Sequence, residues 1–187
     1  MDVSLLPDGP GRVSMLLDLS RFRGTHQHLE RQYESSAFDL TGDEFRIMAQ
    51  VVLVAEVRKD ALKVRLVGRV QTTLELDCSR CVEPFAVPID AAFDVLFLPH
   101  TANAGLPERE VSEDELGASF YENDTIDLGL LVREQSYLAL PMKPLCREDC
   151  RGLCPVCGVN WNQGSCTCKT EWVDPRLEPL KKLKGLN

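Results

Sequence analysis

The chain has 187 residues, 44% of them hydrophobic, and a formal net charge of −8. That length supports one ordinary core with a small appendage, and two full domains would be short of material. An acidic balance of this size argues against a protein that coats nucleic acid by bulk electrostatics, and no apolar run reaches the roughly 18 residues that cross a membrane.

The first 45 residues carry little periodic pattern. Their opening, MDVSLLPDGPGRVSM, has no basic segment followed by an apolar run, so the expected location is the cytoplasm. Disulfides are rare in such a compartment, and the eight cysteines therefore point to metal or redox chemistry.

From Phe45 to Val57 every odd position is apolar (Phe45, Ile47, Ala49, Val51, Leu53, Ala55, Val57), the alternation of a strand with one buried face. After the polar turn at Lys59-Asp60 the phase moves to Leu62, Val64, Leu66, Val70, Leu74 and Leu76, which predicts a hairpin. A third run places Phe85, Val87, Ile89, Ala91, Phe93, Val95 and Phe97 on one face. The three strands predict an antiparallel meander that shows water Lys63, Arg65 and Arg69. These bases are either a solvated face or a shallow stripe for phosphate contact.

Between Thr101 and Thr125 stand seven acids (Glu108, Glu110, Glu113, Asp114, Glu115, Glu122, Asp124) against one base, Arg109. With Gly105, Pro107 and Gly117, this predicts a long acidic loop over 101–125, serving solubility or docking a basic partner. Asp127 can cap a helix carrying Leu128, Leu131, Val132 and Leu138, which Pro141 stops. A second helix is predicted from Asp174-Pro175, with Leu177, Leu180 and Leu183 on its apolar side. Lys181, Lys182 and Lys184 lie near its end, where they complement the helix dipole or touch RNA.

Six cysteines fall between Cys146 and Cys168, and two more form the upstream Cys78-Ser-Arg-Cys81, at the tip of the hairpin between the second and third strands. Cys154-Pro-Val-Cys157-Gly158 has the form of a zinc knuckle: proline stiffens the turn and glycine lets the backbone pass without clash. Eight cysteines make two closed four-thiolate sites, and His26, His28 and His100 lie outside the cluster. Chain geometry favours Cys154, Cys157, Cys166 and Cys168 as one local site, because the eight-residue loop with Gly158, Asn160, Asn162 and Gly164 turns back easily. Cys146 and Cys150 then close on Cys78 and Cys81. Closed sites leave no open position for a catalytic water, so two structural zinc ions are expected.

Competing chemistries fare worse. Cys150-x3-Cys154-x2-Cys157 has the spacing of a radical-enzyme iron–sulfur site, but only 30 residues follow Cys157, too few for the barrel such a cluster needs. A thioredoxin-like pair needs a strand–helix setting that the hairpin lacks. Buried free cysteines fit poorly with the polar, glycine-rich surroundings.

Four stretches, CSRCVEPF (78–85), IDLGLLVREQSYLALPMKPLC (126–146), CRGLCPVCGVNWNQG (150–164) and DPRLEPLKKL (174–183), together resemble the YceD-like family of large ribosomal RNA subunit accumulation proteins. The resemblance implies a bacterial cytoplasmic factor needed for 23S ribosomal RNA accumulation, with no known catalytic residues.

The resulting expectation is an α+β protein: a β-rich domain over 1–145 with the acidic loop at 101–125, and a cysteine-rich zinc module over 146–187 ending in a helix. Its expected work is non-catalytic support of large-subunit biogenesis, with large-subunit ribosomal RNA or ribosomal proteins as partners and neither membrane nor small-molecule substrate. A thiol oxidoreductase or RNA-processing enzyme and a zinc-ribbon adaptor in transcription are the alternatives.

Overall fold

The computed structural model describes residues 14–40, 42–100 and 117–169. The chain divides into two compact units, Met1–Leu76 with Phe85–Pro144, and Asp77–Pro84 with Leu145–Asn187. The first unit carries β1 (Leu16–Asp18), β2 (His26–Tyr33), β3 (Phe45–Ile47) and β4 (Val51–Asp60), then β5 (Lys63–Asp77), β6 (Pro84–Pro99), β7 (Ser119–Tyr121), β8 (Thr125–Asp127) and the helix α1 (Leu128–Ala139). This is an α+β arrangement. Five strands lie in the order β2-β4-β5-β6-β7 with β3 also on β5, and β1 pairs separately with β8.

The alternation read in the sequence builds the centre of this sheet. Val51, Leu53, Ala55 and Val57 of β4 are buried, as are Val64, Leu66, Val70, Leu74 and Leu76 of β5 and Ile89, Phe93 and Phe97 of β6. Side chains two residues apart share a face, so each strand delivers one apolar row to the same core. The two-residue turn between Asp60 and Lys63 holds Ala61 at φ 50°. Leu62, expected on the buried face, sits in that turn and is 63% exposed.

The single strand expected over Phe45–Val57 is two strands. Ile47 faces Leu74 but Val52 faces Gln71, so two extra residues are looped out between β3 and β4. Thr72 anchors this bulge by donating its hydroxyl to the Ala49 carbonyl at 3.3 Å, and Met48 is turned outward.

Three further expectations change. The sheet is mixed, because β7 joins β6 in parallel, Phe97 facing Ser119. A parallel return needs a connection of a dozen or more residues, and the acid-rich stretch supplies that length. Its described end is not loop: β7 and β8 occupy part of 117–127, while 101–116 lie outside the described residues. Finally, β2 arises in the stretch that showed no pattern. It pairs antiparallel with β4 along its whole length, yet only Leu29 and Tyr33 of it are buried, which leaves too few apolar positions to mark a strand.

Asp127 caps α1 as expected, accepting the Leu130 amide at 3.0 Å. Leu128, Leu131 and Val132 are buried. Leu138 is 78% exposed, and Ala139 and Leu140 meet the core in its place. Asp43 accepts from both Arg133 and Tyr137, the latter at 2.7 Å, which ties the segment before β3 to the helix. The helix predicted from Asp174, with Lys181, Lys182 and Lys184, lies outside the described residues. Among the described residues no helix is long and apolar enough to cross a membrane.

Gly68 lies in β5 opposite Ala55 of β4. A Cβ there would stand 2.2 Å from the Val54 carbonyl oxygen and 2.8 Å from the Ala55 Cβ, and two paired backbones cannot retreat as a flexible side chain can. Gly68→Ala should therefore cost about 3 kcal/mol in chemical denaturation, the upper part of the range for overpacking. A loss within experimental error would show that the two strands separate freely at this point.

Candidate metal centres

Within the second unit the eight cysteines form two sets of four. The sulfurs of Cys78, Cys81, Cys146 and Cys150 all lie within 4.8 Å of one another, and so do those of Cys154, Cys157, Cys166 and Cys168. Cys150 thus stands in a different group from Cys154 and Cys157, and the three do not converge on one iron–sulfur cluster. All eight are free thiols. Cys78 and Cys150 are 3.8 Å apart and Cys81 and Cys146 3.7 Å, far beyond the length of a disulfide bond. A tetrahedral ion with metal–sulfur bonds of about 2.3 Å separates its sulfurs by about 3.8 Å, so the donor set fits such an ion in number, type and spacing.

Local backbone chemistry explains how each knuckle points two sulfurs one way. In Cys78–Cys81 the Val82 amide donates to the Cys78 carbonyl at 2.9 Å and the Cys78 amide to the Glu83 carbonyl at 3.0 Å. In Cys154–Cys157 the Gly158 amide donates to the Cys154 carbonyl at 2.9 Å and the Cys154 amide to the Val159 carbonyl at 2.9 Å. The two turns are the same structure. Each puts the residue after its second cysteine in the left-handed region, Val82 at φ 59° and Gly158 at φ 74°. Glycine reaches this region without penalty, but a β-branched residue is strained there.

Side chains whose contacts the sequence did not foretell complete the unit. Arg80, inside the first knuckle, donates to the carbonyls of Cys150 at 2.8 Å and Glu148 at 3.3 Å. Its own carbonyl accepts from Leu153 at 3.1 Å, and Gly152 (φ 76°) passes so close that a Cβ would meet that oxygen at 3.0 Å. The Glu83 carboxylate accepts from Asn160 at 3.3 Å and Gln163 at 3.1 Å. Asn162 bonds both the Arg147 guanidinium at 2.7 Å and the Arg151 amide at 2.8 Å, and points its own amide at the Cys150 sulfur at 3.3 Å. The Trp161 indole does the same for Cys166 at 3.5 Å. Polar residues between cysteines were the only signal for these roles, and they read equally well as turn formers.

The thiols are electrostatically divided. Burial pushes Cys146 up to about 12. Burial acts on Cys78 in the same sense, but the backbone amides of Cys146, Cys81 and Arg80 outweigh it and bring that thiol down to about 6. In the other group the Trp161 indole lowers Cys166 to about 6, while the neighbouring Cys157 sulfur drives Cys168 up to about 12. Burial raises Cys150 as well, but the Asn162 amide and the Gly152 backbone amide outweigh it and bring that thiol down, so neither group holds all four sulfurs alike, because like charges at this spacing repel. A divalent cation removes that conflict.

The bases singled out on the sheet lie in the first unit, on the exposed side of β5. Arg65 makes a two-pronged pair with Asp94 at 2.7 Å for each contact, and Arg69 pairs with Asp90 at 3.0 Å. The stripe is thus interleaved with carboxylates and presents mixed charge.

A family model described as "Large ribosomal RNA subunit accumulation protein YceD" matches residues 66–184, a span that includes all eight cysteines. A Zea mays protein named large ribosomal RNA subunit accumulation protein YCED homolog 1, chloroplastic, is 30% identical over 175 residues, 76% of this chain and 56% of its own. Its Arabidopsis thaliana namesake is 27% identical over 155 residues, 72% and 48%. A Mycobacterium tuberculosis protein is 33% identical over 123 residues, 65% and 56%. The chain spans about half the length of these relatives. No solved structure matches it.

The equivalence of the two turns makes opposite demands on one position. Gly158→Val should cost about 1 kcal/mol, since strain of about 2 kcal/mol from a β-branched residue in the left-handed region is offset by about 1 kcal/mol from the stiffer unfolded chain. Val82→Gly removes such strain and loses about 1 kcal/mol through the freer unfolded chain, so it should be neutral or stabilising by up to about 1 kcal/mol. Thermal melts of the two variants test the sign; equal destabilisation by both would refute the equivalence.

Proposed function

The chain belongs to the YceD family, and on that premise we propose that it is a non-catalytic factor that supports 23S ribosomal RNA accumulation and large ribosomal subunit biogenesis by binding. The observation that carries this reading is the family match across 66–184, which takes in both cysteine groups and α1. The names of the two chloroplastic relatives concern the same process.

In this reading the metal is zinc, with one ion on Cys78, Cys81, Cys146 and Cys150 and another on Cys154, Cys157, Cys166 and Cys168. Bound zinc supplies charge neutralisation and a fixed tetrahedral anchor, and four thiolates complete its coordination. The chain's own groups do the rest: the amides around Cys78, the Asn162 amide and the Trp161 indole stabilise thiolate charge. The expected working place is the cytoplasm. The division of labour, a β-rich part up to residue 145 and a zinc module from 146, is carried forward with one addition, that residues 77–84 work with the module.

Partners are large-subunit ribosomal RNA, ribosomal proteins, or both. For RNA, the contacts proposed are Lys63, Arg65 and Arg69 on β5 and Lys181, Lys182 and Lys184 near the C-terminus. Because Arg65 and Arg69 already pair with Asp94 and Asp90, naked duplex RNA should bind weakly and with steep loss in salt.

Two measurements test the reading. Protein purified under reducing conditions should carry two zinc ions per chain with sulfur-only ligation, and Cys78→Ser and Cys154→Ser should each lose one. Structural zinc contributes on the order of 10 kcal/mol of apparent binding energy, so chelation should unfold at least the cysteine-rich unit; an unchanged melting temperature would end the structural role. Deleting the gene should lower 23S relative to 16S ribosomal RNA and leave large-subunit precursors on sucrose gradients. Pulse-labelling that finds synthesis, decay and the 23S-to-16S ratio unchanged would overturn the accumulation role.

A further inference from the structure

The first unit has a groove of about 370 Å³ between α1, β7 and the β1–β8 pair. On its walls stand Leu16, Phe120 and Leu130, which are 54%, 46% and 51% exposed, and Leu131 closes part of its floor. One exposed leucine on a protein surface needs no explanation. Three large apolar side chains from a strand, another strand and a helix that converge on one concavity do, because they remain in contact with water where a small shift of packing would cover them.

The charges around the groove are of one sign. Glu122, Asp127 and Glu134 line it, and among the described residues no lysine or arginine does. Glu134 lies four residues after Leu130, on the same outer face of α1, so the helix offers an apolar and an acidic contact side by side. Asp127 spends one oxygen on the helix cap. Glu122 approaches His100 at 3.9 Å and its side chain is 69% exposed.

This combination selects its occupant. A phosphate backbone would be repelled by three carboxylates. A second copy of this chain brings a net charge of −8 against an acidic rim. We propose that the groove is a docking site for a basic amphipathic polypeptide segment of a partner protein, whose apolar side chains enter between Leu16, Phe120 and Leu130 while its lysines or arginines meet Glu122, Asp127 and Glu134. The volume is at the low end of ligand sites, roughly 300–1,000 Å³, and takes one or two side chains of a helix rather than a folded domain. The inference stands apart from both the zinc sites and the RNA role: an empty groove would leave the expected metal content and the 23S phenotype untouched.

The test uses the full chain and a fluorescent, helix-forming synthetic peptide of lysine, alanine and leucine with the leucines on one face. Three controls accompany it: the same peptide with leucines replaced by serine, its glutamate-for-lysine counterpart, and a short duplex RNA. The leucine–lysine peptide should bind, and its affinity should fall with salt. Either Leu130→Ser or Glu134→Lys should weaken it about tenfold, as for a contact at the centre of a small interface. Both positions are solvent-facing, so melting temperatures should be unchanged, and Phe120→Ser provides a third variant on a different element. Amide shifts on titration should map to 119–122 and 128–134. Binding that ignores the leucines, or that survives all three variants because the acidic residues at 108–115 capture the peptide, would overturn the proposal. So would preference for the RNA, or no binding at all.

Discussion

Four thiols held within 4.8 Å of one another cannot all ionise without a cation to offset the charge, and the second unit is built around these two groups. Its first group joins chain segments nearly 70 residues apart, since Cys81 lies against Cys146 at 3.7 Å with a sequence separation of 65. Closing so long a loop costs entropy that no short local contact returns. The hydrogen bonds that Arg80 donates and that the Glu83 carboxylate accepts hold the same two segments together, but neutral and single-charge bonds of that kind contribute about 1–3 kcal/mol each. Coordination of a metal ion, for which the four sulfurs are suited in number and spacing, would be of the right size. Cys78, Cys150 and Cys166 are held below the usual thiol range and Cys146 and Cys168 above it, so each group mixes ready and resistant thiols, an imbalance that a bound cation would even out.

The two knuckles show how sequence and backbone divide that work. Cys154–Cys157 is followed by glycine and Cys78–Cys81 by valine, yet the same pair of amide bonds closes both turns. What the site requires is a left-handed residue after the second cysteine; glycine meets this freely and Val82 does so under strain. Strain of about 1–3 kcal/mol would be small beside metal coordination, which would let the more remote knuckle tolerate a residue that the turn alone would reject.

How much of this was legible follows from which forces act locally. The grouping of the sulfurs in space is the one that loop lengths imply, because an eight-residue turn closes cheaply and leaves four cysteines for the distant pairing. The central strands were legible because burial on one face writes itself as alternation. Leu62 and Leu138 followed the apolar pattern and are exposed, since a pattern says nothing of where a turn falls or where a core stops. β2 was invisible because it is held chiefly by its backbone bonds to β4, and backbone bonds carry no side-chain signature. Arg80, Asn162 and Trp161 were missed for a related reason: their roles depend on what the fold brings opposite them.

Charge is the last link between site and surface. Arg65 and Arg69 on the exposed sheet face are paired with neighbouring carboxylates, while the groove beside α1 presents three carboxylates and, among the described residues, no lysine or arginine in its lining. A protein with this distribution draws cations more strongly than phosphate, and draws them to a place where apolar side chains wait. Long-range attraction of that kind raises the rate of encounter more than it tightens the complex, so selectivity must come from the fit at Leu16, Phe120 and Leu130. Ribosomal RNA assembles with basic polypeptides, and a factor that holds a basic segment can influence RNA accumulation without contacting RNA itself. On the proposed docking of a basic polypeptide at this groove, the acidic character of the chain and the proposed role in RNA biogenesis are compatible.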